Sequence, residues 1–181
     1  MKNKFNLFNI ISVAYLLIIG FIMGYYISHN ISKEINDPFI RIIISVILFY
    51  IAIFLQIIIH EMGHLIFGLL TGYKFTSFRV SNIILIKNEN KFSIKRFSLA
   101  GTGGQCLLAP PERKEDGSYP YVLYHLGGVI LNVITSIIFY SIYIFTPKNY
   151  FGLLLLLLSL MGILFAILNG IPFNSSIAND A

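Results

Sequence analysis

His60-Glu61-Met62-Gly63-His64 sets two imidazoles four residues apart, with a carboxylate beside the first. On an α-helix, residues i and i+4 share a face, so His60 and His64 can offer two nitrogens to one metal ion. Glu61 is then placed to take a proton from water activated by that ion. The H-E-x-x-H spacing is the one that holds zinc on a helix with the glutamate as general base. The surroundings sharpen this reading. The five residues lie inside a membrane-length apolar run, Phe39 to Leu70, where no water is available to solvate two histidines and a glutamate.

The rest of the composition agrees with a membrane location. Of 181 residues, 56% are hydrophobic and only 12% charged, too few polar groups to solvate an ordinary globule. A single membrane-embedded domain over residues 1–181 is expected. The formal charge of +5 does not point to nucleic acid, because the basic residues cluster beside apolar runs as the positive-inside bias requires. Cys106 is alone, so no internal disulfide forms.

The elements that must carry the motif can be placed from the apolar runs. The expected class is an all-α polytopic membrane protein, with about four transmembrane helices and a small β-hairpin between the second and third. The first helix covers about Ile10 to Ile27, within an N-terminal anchor and outer loop (1–36). It is long enough to cross a bilayer at roughly 1.5 Å per residue, and no A-x-A site follows it, so it reads as an uncleaved anchor. The second, metal-binding helix (37–72) starts at Asp37-Pro38, an N-cap followed by proline at the first helical position, and stops near Thr71-Gly72. The third spans about Tyr121 to Phe145 and the fourth about Phe151 to Ile171, before Pro172, within 121–181.

Between them, residues 73–120 form a loop with a hairpin signal. Phe75 to Ile86 is rich in β-branched and aromatic residues, Asn88-Glu89-Asn90 is a turn cluster, and Lys91 to Phe97 alternates polar with apolar. The hairpin either merely connects helices or offers a strand edge to an extended peptide. Ala100 to Cys106 reads as a flexible glycine-rich segment without the lysine of a phosphate loop.

Lys74, Arg79, Lys87, Lys91, Lys95, Arg96, Arg113 and Lys114 all fall between the second and third helices, and Lys2 and Lys4 precede the first. Lys33, Arg41 and Lys148 alone fall on the other side. Both termini and the middle loop are therefore expected in the cytoplasm, and the high Ile, Asn and Lys content points to a bacterial cell membrane. His60 lies roughly 33 Å along the helix from Pro38, which brings the motif to the cytoplasmic half of the membrane. A zinc site needs a third protein ligand as well as an open position. Asp180, on that same side after the fourth helix, and His125, at the start of the third, are the candidates. His29 falls on the far side.

These residues resemble a known family, the site-2 proteases, which are intramembrane zinc metalloproteases. His60-Glu61-Met62-Gly63-His64 is similar to their H-E-x-G-H. Gly127-Gly128-Val129-Ile130-Leu131-Asn132 resembles their G-P-x-x-N, with Val129 in the proline position. Asn169-Gly170-Ile171-Pro172 resembles the N-x-x-P before their L-D-G. The resemblance runs from about Phe39 to the end of the chain. It implies Zn2+ held by His60, His64 and Asp180, with Glu61 as catalytic base and Asn132 and Asn169 lining the cleft to hold substrate or intermediate. Asp180 comes later after Asn169 than in the family, and Ala181 stands where glycine is usual. The implied function is hydrolysis of peptide bonds in membrane-anchored or signal-like peptides, with a membrane-anchored substrate and the lipid bilayer as partners and no nucleic acid. Two other readings of the same residues are an inactive homologue acting as a membrane peptide-binding scaffold and a small transporter or immunity-type membrane protein.

Overall fold

The structure, a computed structural model, describes residues 7–31, 35–89, 91–99, 102–112 and 118–171. Four helices in it are long and apolar enough to cross a membrane, close to where the apolar runs place them. Helix α1 is Leu7–Tyr26, continued by a π-helical stretch, Ile27–Ile31. Helix α2 is Pro38–Leu70, α3 is Val122–Phe145 and α4 is Tyr150–Gly170.

The start of α2 shows why its boundary was readable. The Asp37 carboxylate accepts hydrogen bonds from the backbone N–H of Phe39 at 2.8 Å and of Ile40 at 3.4 Å, satisfying two donors a helix start leaves open. At the other end Gly72 takes φ +89°, a left-handed conformation that stops the helix and that glycine adopts freely. Helix α2 has 33 residues, so at about 1.5 Å per residue it exceeds the hydrocarbon thickness. Its first four turns present Phe39, Ile42, Ile43 and Tyr50 outward, a face suited to lipid.

Helix α4 is the centre of the bundle. Leu153, Leu157, Met161 and Leu164 are buried along it, and α1 lays Tyr15, Ile19 and Tyr26 against it. The Tyr15 hydroxyl donates to the Leu160 carbonyl at 3.0 Å. Helices α2 and α3 close the other sides.

Glycines set how near these helices come. A methyl group on Gly127 would lie 2.5 Å from the Gly63 carbonyl oxygen, and one on Gly128 would lie 2.5 Å from the His60 ring. The two backbones therefore cross at Gly63 and Gly127, inside the histidine motif itself. Small residues allow this in membranes, where van der Waals contact drives helix association.

The loop after α2 corrects the expectation of a hairpin. It holds a four-stranded antiparallel sheet in the order β3-β2-β1-β4, with β1 Lys74–Val80, β2 Ile83–Asn88, β3 Lys91–Arg96 and β4 Gly104–Ala109. The chain is thus not all-α. What reads in sequence as one hairpin arm, Phe75 to Ile86, is two strands folded about a turn at Ser81, where φ is 54°. The segment expected to be flexible supplies β4, which pairs with β1 from Lys74↔Ala109 to Val80↔Gly104. Residues 100 and 101 lie outside the described residues. Strands β1 and β4 pack on the C-terminal half of α2, placing β4 beside the motif.

The Gly63–Gly127 crossing generates a packing prediction. Gly127→Ala should destabilise the folded protein by about 1–3 kcal/mol, because the added methyl has no room. Gly20→Ala, with nothing within 4 Å of the new methyl, should be neutral or stabilising by up to about 1 kcal/mol. Thermal unfolding in detergent distinguishes the two.

Candidate active site

Three residues of α2, each a helical turn from the next on one face, point into the bundle: Gln56, His60 and His64, all buried. Their hydrogen bonds fix which atoms face which. The Gln56 amide nitrogen donates to the Leu158 carbonyl of α4 at 2.7 Å. A carbonyl only accepts, so the orientation of that amide is set and its oxygen is left to accept. It accepts from Asn132 Nδ2 of α3 at 3.1 Å. The Asn132 oxygen must then face His60 Nδ1, which lies 3.2 Å away and donates its proton there. His64 Nδ1 lies 2.8 Å from the Tyr124 carbonyl of α3 and must likewise carry a proton.

With each Nδ1 donating, Nε2 is the ring nitrogen that each histidine turns toward the other. Those two nitrogens are 3.2 Å apart. Two zinc–nitrogen bonds of about 2.05 Å at the tetrahedral angle separate their nitrogens by about 3.3 Å. The donor set and its spacing fit zinc. Amide and carbonyl partners on the far ring nitrogens are also what a metal-ligating histidine needs to keep its tautomer and orientation.

Glu61 sits on the adjacent face, buried against β4. A methyl added to Gly104 would lie 2.6 Å from Glu61 Oε1, so only glycine admits the carboxylate here. A cleft of about 410 Å³ opens onto His60, Glu61 and His64, walled by Thr102 to Leu107, Tyr124 and His125, and by Phe165 and Asn169 of α4. Burial and then the nearby Glu61 carboxylate push the Cys106 thiol up to about 12. While buried it stays protonated at neutral pH and reacts slowly, as a wall residue.

Sequence comparison adds the family. The sequence model of peptidase family M50 matches residues 48–177. The chain belongs to that family, the site-2 proteases. No curated protein matches the chain, and no solved structure does. Membership makes it a multi-pass membrane protein of a metalloprotease family, and the four spans agree.

The structure brings His60, Glu61, His64 and Asn169 to one cleft, with Asn169 Nδ2 tied to the Phe165 carbonyl at 2.9 Å. Asn132 is fully buried and is bonded to His60 and Gln56. His125 borders the cleft. Among the described residues no group of three or more His, Cys, Asp or Glu side chains forms a metal site. Asp180 lies outside the described residues. Sequence reasoning missed Gln56, although a lone amide in an apolar run, one turn before His60, carried the signal.

In this M50 chain, Asn132→Ala removes the acceptor that holds His60 Nδ1. The expected result is a 10- to 100-fold weaker zinc affinity, roughly the loss typical of a removed partner of this kind, with helix content unchanged. Competition with a chromogenic chelator measures the first and circular dichroism the second.

Proposed function

We propose that the protein is an intramembrane zinc-dependent endopeptidase that hydrolyses peptide bonds of membrane-anchored or signal-like peptides. The observation that carries this is the pair of buried Nε2 atoms, converging at 3.2 Å beside Glu61 in a cleft within a bundle of four helices long and apolar enough to cross a membrane. Family membership supports it.

His60 and His64 would hold the ion through Nε2, with Asp180 as the proposed third ligand. When bound, zinc supplies a Lewis acid that polarises a carbonyl and makes water a stronger acid. The chain does the rest. Glu61 takes the proton of the attacking water and returns it to the leaving amine. Gln56 and Asn132 keep His60 in the required tautomer, and the Tyr124 carbonyl does the same for His64. Asn169, at the edge of the cleft, is placed to hydrogen-bond a substrate backbone. Apolar walls from Ile57, Leu107 and Phe165 favour an apolar segment and keep bulk water from competing. The proposed setting is a bacterial cell membrane, both termini in the cytoplasm, with the cleft opening there.

Glu61→Gln should cut hydrolysis of a transmembrane peptide by about 10²- to 10⁴-fold, the usual worth of a general base, while bound zinc stays at the parent level. Asp180→Ala should lower zinc content as well as activity. Mass spectrometry of peptide products and metal analysis of purified protein read these out. Parent-level cleavage by Glu61→Gln would falsify the mechanism.

A further inference from the structure

The sheet contains a buried cation that the chemistry at His60 and Glu61 does not use. Arg79, near the end of β1, is 1% exposed. It is in register with Ile84 and Gln105, on the opposite sheet face from Phe78 and Cys106. Its fork reaches three points in the chain. Nη1 donates to the Ser81 carbonyl at 2.8 Å. Nη2 donates to the Thr102 hydroxyl and to the Gly104 carbonyl, the latter at 3.0 Å. Ser81 N–H adds a bond to the Gly103 carbonyl at 2.8 Å. Burying a guanidinium is costly. Here the two terminal nitrogens are met, while Nε has no hydrogen-bond partner among the described residues. Two planar donors aimed at separate segments are what arginine offers and lysine does not.

The strip that Arg79 holds is the wall of the cleft. Gly104 lies on Glu61, and a methyl on Gly103 would come 2.8 Å from Ile57 Cδ1, one turn before Glu61 on α2. Thr102 and Gly103 border the catalytic cleft on one side. On the other they border a second pocket of about 320 Å³, shared with Tyr50 and Phe54 on the outer face of α2. Glycines at 103 and 104 have no side chains to anchor them, so the strip's position depends on its backbone partners.

We propose that Arg79 is a positioning residue: it pins Thr102–Gly104 against Ile57 and Glu61 and so fixes the wall between the catalytic cleft and the outer pocket. Its kinetic consequence rests on the peptidase reading, whereas its structural consequence does not. With the wall released, a scissile peptide sits loosely against Glu61, and kcat falls while KM changes little. Zinc affinity is unaffected, because His60 and His64 are held from α3 and α4.

Cys106, the sole cysteine and buried two residues beyond Gly104, reports on the wall directly. In the full-length protein in detergent, the rate of alkylation by a small water-soluble maleimide should rise at least about tenfold in Arg79→Met, the effect of losing a charge-assisted hydrogen bond from the closed state. Arg79→Lys should fall between parent and Arg79→Met. Thr102→Val, which removes one acceptor and leaves the charge, should rise severalfold and keeps the test open if Arg79→Met does not fold. Parent-level alkylation in Arg79→Lys and Thr102→Val, or in a folded Arg79→Met, overturns the proposal. If the parent cleaves no peptide, the peptidase reading fails, and the alkylation rates still decide the role of Arg79.

Discussion

Two imidazole rings held with Nε2 toward Nε2 inside an apolar bundle are a constraint the rest of this structure is arranged around. Left alone, the rings of His60 and His64 could rotate or exchange tautomers. They are prevented from doing so by hydrogen bonds that end on backbone carbonyls of other helices, Leu158 of α4 and Tyr124 of α3. Backbone carbonyls cannot reverse roles, so the direction of every bond between them and the rings is fixed. The cost of burying this polarity is met only while α2, α3 and α4 stay together. Site and bundle are one cooperative unit.

Close packing is what makes that unit possible. Gly63 lies between the two histidines and brings the backbone of α2 against Gly127 of α3, and Gly128 leaves the space taken by the His60 ring. The glycine within the motif is therefore part of the site's geometry, not a spacer. On the other side, Gly104 leaves the space taken by the Glu61 carboxylate. His60 and Glu61 each face a glycine on the neighbouring element, so the site is shaped by missing side chains as well as by those present.

Much of this was legible in the sequence. The four helices stand within a few residues of the apolar runs, because in lipid a helix must be long and apolar, and the Asp37-Pro38 start left a cap signature. The histidine motif was readable because charge and polarity are rare in hydrocarbon. The sheet was not. Strand β4 pairs with β1 across more than twenty residues, and its glycine-rich start looks locally like a loop. Nothing local announces a non-local pairing. Arg79 was hidden for a related reason: in sequence it is one more positive charge on the cytoplasmic side, and only the fold of 102–104 over β1 buries it. Gln56 drew no reading in sequence and Asn132 was placed by the family resemblance, because the relay from Leu158 through Gln56 and Asn132 to His60 emerges only when three helices are assembled.

Zinc K-edge X-ray absorption on the purified, metal-loaded protein tests the central claim most directly. Two imidazole nitrogens near about 2.0 Å from the absorber are predicted, with one imidazole lost in His60→Ala. A spectrum without imidazole scattering, or one unchanged by His60→Ala, would contradict it.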